Sequence, residues 1–202
     1  MPVKMHLLDI IVKFFYNSIK NAMLPDFTNE GLLPPGDYPL SLDQLRRSFL
    51  VTGESLNSTT WDKQWRSYLV DNLEKMAKQL WSFNIDKIFI NGSFVESKDH
   101  PNDIDGYFEC SLRYFASGKL EKDLNLLDPG VWTWSPKSLK TNPNSVKRQL
   151  PMWLIYRVEL YPHYGQLTGL TDSHGNELQY PSAFRQRRRD SKPKGIVKLI
   201  QE

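Results

Sequence analysis

The stretch Ile88-Phe89-Ile90-Asn91-Gly92-Ser93, followed ten residues after Ser93 by Asp103-Ile104-Asp105, decides how this chain folds. The apolar residues before Gly92 predict a buried strand that ends at a Gly-Ser turn. Asp103 and Asp105 lead into a second apolar run, and because side chains alternate along a strand, the two carboxylates face the same way. Oxygen ligands of this kind suit Mg²⁺ or Mn²⁺, and a Gly-Ser turn offers amides and a hydroxyl to a phosphate. The pattern therefore predicts a site for a nucleoside triphosphate and a divalent cation.

Gly92-Ser93 with Asp103-x-Asp105 resembles the signature of the DNA polymerase beta-like nucleotidyltransferases, in particular their minimal members. The resemblance implies an α+β fold in which a mixed sheet is flanked by helices, here with an N-terminal helical extension. It implies that Asp103 and Asp105 are catalytic metal ligands and that Gly92 and Ser93 bind the triphosphate. Three short phrases also resemble a little-characterised bacterial and phage branch of these proteins: Leu33-Pro34-Pro35-Gly36, Pro181-Ser182-Ala183-Phe184-Arg185 and Lys194-Gly195-Ile196.

The resemblance also implies a third catalytic carboxylate on a later, neighbouring strand. Residues 153–161 are rich in aromatic and β-branched side chains, so they predict a strand with Glu159 in its middle. Glu159 is therefore the expected third metal ligand, although the family more often has Asp there. Arg157 is expected on the same face, where an ion pair with Glu159 and a contact with phosphate are equally open readings.

Two further charged residues, Lys98 and Glu109, are candidates for the same site. Lys98, in the loop between the Gly-Ser turn and Asp103, is a candidate for binding the triphosphate, although exposed lysines are common. Glu109 continues the face of Asp103 and Asp105, but at the rise of a strand it lies too far along to join them at one metal ion. Glu159 is accordingly preferred as the third ligand.

The implied activity is a Mg²⁺-dependent transfer of a nucleoside monophosphate, with AMP as the expected group, from an NTP to a hydroxyl of a protein, an RNA or a small molecule. One alternative is a catalytically weak or inactive interaction protein of a toxin–antitoxin or phage defence or anti-defence system, for which an apolar stripe from Leu7 to Ile19 would supply the interface. Another is a nucleic-acid binder that works through the basic segment Arg185–Lys194, which otherwise predicts a solvated tail.

Length and composition limit the class of protein. The chain has 202 residues, of which 40% are hydrophobic and 12% aromatic, which suits one folded domain. The net charge of +3 gives no global signal for binding a polyanion. The single cysteine, Cys110, cannot form an internal disulfide and favours a reducing cytoplasm. We find no apolar segment near the ~20 residues of a membrane span, no P-loop motif and no zinc-type histidine spacing, so neither a membrane nor zinc is expected.

The chain divides into three predicted segments. Residues 1–24 form an amphipathic helix that packs on the domain, on a protein partner or on a second copy. Residues 25–59 are a Pro-rich linker with a short helix, which Ser41 and Gln44 begin as a capping box. Residues 60–202 form the nucleotidyltransferase-like domain with its basic C-terminal segment.

Four further elements are expected around and inside that domain. They are a long helix over 61–83 capped by Ser58 or Thr60, a helix over 111–130, a mobile loop or unrecognised helix over 133–150, and a hairpin over 165–180.

Overall fold

The computed structural model describes residues 24–54, 56, 58–142 and 145–201. The helix predicted over residues 1–24 therefore lies outside the described residues, except for the buried Leu24. The remainder is α+β, with a mixed sheet flanked by helices, as predicted.

The central sheet has five strands in the order β1-β9-β2-β3-β6. β1 (Asp37–Leu40) runs parallel to β9 (Ile196–Leu199), and β9 runs antiparallel to β2 (Ile88–Asn91). β2 runs antiparallel to β3 (Ile104–Glu109), which is parallel to β6 (Val158–His163). The strands predicted on either side of the Gly-Ser turn are thus neighbours in the middle of the sheet.

One face of the sheet is covered by the long helix Lys63–Trp81. The apolar side of this helix, with Leu69, Leu73 and Leu80 fully buried, belongs to the same core cluster as Ile88 and Ile90 of β2. Burying such side chains contributes about 2 kcal/mol each, so this layer supplies much of the stability. The other face carries the alternate residues of the same strands, including Asp105 and Glu159.

The long helix begins at Lys63, three residues after Thr60, the nearer of the two predicted caps. Asp62 is its N-cap and accepts a hydrogen bond from the Trp65 amide at 2.9 Å. Ser58 and Thr60, the predicted caps, instead donate their hydroxyls to the Asp99 carboxylate. The prediction of the helix is confirmed, and its capping residue is corrected.

The linker predicted over residues 25–59 contains more regular structure than expected. The capping box of Ser41 and Gln44 is present and begins the helix Leu42–Arg47, as predicted, and a second short helix, Phe49–Thr52, follows. The strand β1 (Asp37–Leu40) also lies within the predicted linker, and it includes Pro39. A proline is tolerated there because β1 is an edge strand, paired on one side only.

The strand predicted over 153–161 is correct only in its second half. Residues Pro151–Tyr156 form a helix with a proline in its first turn, and Arg157 ends it in the left-handed region at φ 56°. β6 then begins at Val158. Aromatic and β-branched residues suit a buried helix as well as a strand, so the pattern did not separate the two.

Of the three remaining predicted elements, one is divided in two, one is confirmed and one was wrong. The helix predicted over 111–130 is two helices, Leu112–Ala116 and Lys119–Leu127, and the hairpin predicted over 165–180 is present as β7 (Leu167–Thr171) and β8 (Glu177–Gln179). The loop or helix predicted over 133–150 was wrong, because a short 3₁₀ turn and a hairpin occupy it: Pro136–Ser138, β4 (Lys140–Asn142) and β5 (Ser145–Gln149). A last short helix is Tyr180–Phe184.

None of the helices that the structure describes is both long and apolar enough to cross a membrane.

Candidate functional site

Sheet register brings three polar side chains together on the face away from the long helix. Asn91 of β2 pairs with Asp105 of β3, and Asp105 pairs with Glu159 of β6. Residues that are directly paired across strands point to the same face, with Cβ atoms about 5 Å apart. The catalytic residues Asp105 and Glu159 predicted from sequence are therefore neighbours in the structure, although 54 residues separate them in the chain.

These side chains open into a cavity of about 640 Å³. Pockets that hold small molecules measure roughly 300–1,000 Å³, so the volume suits a nucleotide. Its lining falls into three groups: polar and acidic residues from the sheet, basic residues from the C-terminal segment, and apolar or aromatic residues from the β7–β8 hairpin and the following helix. The main members are Gly92, Ser93, Asp105 and Glu159; Arg187, Arg188, Arg189 and Lys194; and Leu170, Leu178, Tyr180 and Phe184.

Gly92 is required at its position by both backbone and space. The chain turns there with φ +69°, and a Cβ atom would overlap the Asp105 carboxylate. Only glycine allows the turn to lie directly against that carboxylate. Ser93 follows in the 3₁₀ helix Gly92–Val95 and lines the same cavity. The structure thus places Gly92 directly against the predicted metal carboxylate and Ser93 in the same cavity, and both residues were predicted to bind phosphate.

Burial and mutual repulsion disfavour the charged forms of both cavity carboxylates. Burial, and then the charges of Asp103 and Glu159, raise the pKa of Asp105 to about 7. Burial also raises the pKa of Glu159, which is only 9% exposed, although a hydrogen bond from the Tyr161 hydroxyl at 2.9 Å opposes the rise. Two neighbouring carboxylates repel each other when both are charged, and a cation bound between them removes that repulsion.

Asp103 stands at the edge of this arrangement. It precedes β3, and its carboxylate accepts a hydrogen bond from the indole N–H of Trp153 at 2.7 Å. Its charge raises the pKa of both Asp105 and Glu159, so it is electrostatically part of the site, but it is not among the described residues that line the cavity.

Two predicted nucleotide-binding residues lie outside the cavity. The Arg157 guanidinium stacks on the Trp153 ring at 3.9 Å, and its backbone belongs to the end of a helix rather than to β6. The predicted shared strand face of Arg157 and Glu159 was therefore wrong. Lys98 is exposed, and the structure uses its backbone carbonyl as an acceptor for Arg66.

Arg66 is a residue that sequence analysis missed. Its fully buried guanidinium donates to the carbonyls of Leu50, Phe94, Glu96 and Lys98 and stacks on Trp61 at 3.8 Å. Three of these carbonyls belong to the segment that follows Ser93, so Arg66 fixes the position of the chain directly after the Gly-Ser turn. Burial lowers its pKa to about 9, which still leaves it charged at neutral pH. An arginine within a helical pattern gives no sequence signal for such a role.

The basic C-terminal segment is not a solvated tail. Lys194 is 4% exposed, and its ammonium donates to the Gly92 carbonyl at 3.0 Å and to Glu96 at 2.5 Å. Arg185 forms an ion pair with Asp37 at 2.6 Å. The segment therefore packs against the Gly-Ser turn and forms one wall of the cavity, which corrects the tail prediction.

An aromatic wall completes the cavity. The rings of Tyr161 and Tyr180 stack with centroids 5.5 Å apart and an interplanar angle of 17°. Phe184 packs against Tyr180 at 5.7 Å. Flat, partly exposed rings of this kind are suited to stacking against a planar ligand.

The carboxylates are the residues that are suited to hold a divalent cation. Among the residues that the structure describes, no three His, Cys, Asp or Glu side chains are gathered closely enough to enclose a metal ion as they stand. The donor set nevertheless fits Mg²⁺ in kind, because Asp105 and Glu159 are neighbouring oxygen ligands that line one cavity. Asp103 is close enough to contribute electrostatically.

Comparisons with known proteins give one match. The family whose model matches, over residues 25–200, carries the description "Family of unknown function (DUF6932)". Neither the search of curated proteins nor that of solved structures finds a match. The match spans most of the chain, from before β1 to the end of β9, and includes every residue of the cavity. The chain therefore belongs to the DUF6932 family.

Proposed function

We propose that this protein is a Mg²⁺-dependent nucleotidyltransferase that moves a nucleoside monophosphate from an NTP to a hydroxyl acceptor. One observation carries the proposal: the half-buried Asp105 and the buried Glu159 are paired across β3 and β6, and they face a cavity that also contains the Gly92-Ser93 turn. The α+β fold with a mixed sheet agrees with the polymerase beta-like resemblance of the Gly-Ser and Asp-x-Asp motifs.

The charges of the cavity support a ligand that is anionic and is bound with a cation. Carboxylates from the sheet and basic residues from the C-terminal segment line the same cavity. A triphosphate placed between them would neutralise the basic wall directly, whereas it needs a cation to approach the carboxylates. A magnesium nucleotide satisfies both sides at once.

The chain's own residues would divide the work as follows. Asp105 and Glu159, with Asp103, would hold Mg²⁺, which when bound neutralises phosphate charge and lowers the pKa of an attacking hydroxyl. Tyr161 keeps the Glu159 carboxylate oriented, and Trp153 does the same for Asp103. Positioning and charge neutralisation account for most catalysis of this type, since little covalent help is needed.

The Gly92-Ser93 turn would bind the phosphates of the nucleotide. The Ser93 hydroxyl would donate to a phosphate oxygen, and Gly92 lets that phosphate approach Asp105 closely. Lys194 holds the Gly92 carbonyl, so the turn keeps its shape without the ligand. Cation binding must also displace the proton that Asp105 retains near neutral pH, so affinity for Mg²⁺ should increase as pH rises.

The experiment is a calorimetric titration of ATP and of GTP in the presence of Mg²⁺. We expect binding to the wild type and a loss of at least a hundredfold in Asp105→Asn and in Glu159→Gln. Glu109→Gln is the matched control, because Glu109 lies on the same face of β3 but outside the cavity. The absence of NTP binding by folded wild-type protein would contradict the proposal, as would an equal loss in Glu109→Gln.

A further inference from the structure

The segment Arg185–Lys194 is a closed loop with a fixed shape. The Arg187 amide donates to the Lys192 carbonyl at 2.8 Å, and the Lys194 amide donates to the Arg185 carbonyl at 2.9 Å. Gln186 and Pro193 form a β-bridge across the base of the loop. These contacts place the tip of the loop beside the cavity, where Arg188 and Arg189 are among the lining residues.

The four cations that line the cavity serve two different purposes. Arg187 and Lys194 are buried and form ion pairs with Asp190 and Glu96, respectively, so their charges are already compensated. They hold the loop and the Gly-Ser turn in place. Compensated, buried cations of this kind have little charge left to offer a ligand.

Arg188 and Arg189 are exposed at the cavity instead. Arg188 makes no hydrogen bond or ion pair with any residue that the structure describes, and Arg189 lies 4.0 Å from Asp190 with 74% of its side chain exposed. Arg188 and Asp105 line the same cavity, and the charge of Arg188 opposes the rise in the pKa of Asp105. Two adjacent guanidinium groups that face a cavity and lack strong partners favour a ligand with several anionic oxygens, because each can bind phosphate bidentately.

We infer that Arg188 and Arg189 bind the terminal phosphates of a nucleoside triphosphate, so that this loop selects a triphosphate over a monophosphate. The inference rests on the proposed function. The sheet carboxylates and the loop arginines line one cavity, so a nucleotide whose cation is held by the carboxylates can present its terminal phosphates to the arginines. The loop therefore contributes affinity for the leaving group and none for the nucleoside.

The experiment compares ATP with AMP, each with Mg²⁺, by calorimetry. In Arg188→Gln/Arg189→Gln we expect the affinity for ATP to fall at least tenfold and that for AMP to change less than twofold. Arg188→Lys/Arg189→Lys keeps the charge and should lose less. The control Arg47→Gln/Arg113→Gln removes the same net charge at two exposed sites, on the helices Leu42–Arg47 and Leu112–Ala116, and should behave as wild type. Thermal unfolding of each variant verifies that it is folded.

A parallel titration with inorganic tripolyphosphate, without Mg²⁺, separates this inference from the proposed function. If the wild type binds tripolyphosphate and the double Gln variant does not, the anion site stands even where ATP fails to bind. An equal loss for ATP and AMP, an equal loss in the control, or unchanged tripolyphosphate binding in the variant would each overturn the assignment. Loss of binding to a single-stranded RNA oligonucleotide with retention of tripolyphosphate binding would also overturn it, and would make the loop a nucleic-acid interface.

Discussion

Acidic residues lie on the same face at both ends of the β3–β6 strand pair, but their surroundings differ. Only the acidic residue at the far end has a basic hydrogen-bond partner among the described residues. At one end, the half-buried Asp105 is paired in register with the buried Glu159, and neither has a cation as a hydrogen-bond partner among the described residues. At the other end, Glu109 is paired with His163 and receives the Lys87 ammonium at 2.7 Å, with 62% of the Lys87 side chain exposed. A carboxylate that is stable by itself is neutralised and hydrated, whereas one that is enclosed and repelled needs a ligand to be stable as an anion.

The largest expected effect concerns stability against pH in metal-free buffer. Because the folded-state pKa of Asp105 is raised from 3.8 to about 7, the folded protein keeps a proton that the unfolded chain has lost. The free energy of unfolding should therefore fall between about pH 4 and pH 7 and then level off. In Asp105→Asn the decrease between pH 4 and pH 8 should shrink by on the order of 4 kcal/mol. Chemical denaturation in EDTA at several pH values measures it.

The matched variant at the other end is Glu109→Gln, which should leave that pH dependence unchanged. If both variants alter it equally, or if neither does, the contrast between the two ends of the strand pair is not electrostatic.

The next effect tests how tightly the enclosed end is packed. Gly92→Ala should destabilise the protein by about 3 kcal/mol, because it combines a strained positive φ with an overlap against the Asp105 carboxylate. Gly118→Ala has the same kind of φ, +71°, but an added Cβ meets nothing within 4 Å, so it should cost only about 1 kcal/mol. Equal costs, measured by urea unfolding, would show that crowding at Asp105 is not important.

A smaller effect is expected from the hydroxyl that supports Glu159. Tyr161→Phe removes the hydrogen bond to the Glu159 carboxylate, which should cost about 1 kcal/mol of stability and raise the pKa of Glu159 further. The affinity for Mg²⁺, measured by titration at pH 6 and pH 8, should drop more at pH 6. An unchanged pH dependence would mean that Tyr161 only packs.

The smallest effect belongs to the open end. Lys87→Met removes the ion pair with Glu109, and it should change the affinity for Mg²⁺ and ATP by less than twofold, since exposed ion pairs are weak and this one lies outside the cavity. A larger change in titration would mean that the two ends are coupled through the strands.

Local signals in the sequence predicted much of the fold. The capping box of Ser41 and Gln44, the long helix and the strands around the Gly-Ser turn were all correct, because each depends on residues that are close in the chain. The helix Pro151–Tyr156 was missed because its aromatic and branched residues favour a strand equally well.

The site was predicted in part, and what was missed depends on distant contacts. Gly92, Ser93, Asp105 and Glu159 meet at the cavity as expected, whereas Lys98 and Arg157 do not line it. The role of the basic segment was not predictable, since its partners Asp37 and Glu96 lie about 100 or more residues earlier. Arg66 likewise binds backbone carbonyls, which no side-chain pattern encodes.

The position of β9 in the sheet determines when the cavity can form during folding. Residues 196–199 insert between β1 and β2, so that Asp37 pairs with Ile196 and Ile90 pairs with Val197. During synthesis, β1 and β2 cannot be joined until the ribosome has released this strand, and such long-range closure is slow. Lys194, which grips the Gly92 carbonyl, arrives at the same moment. A chain in which β9 has not yet docked therefore lacks both the full strand order and the Lys194 contact, so the cavity takes its shape only when the sheet is complete.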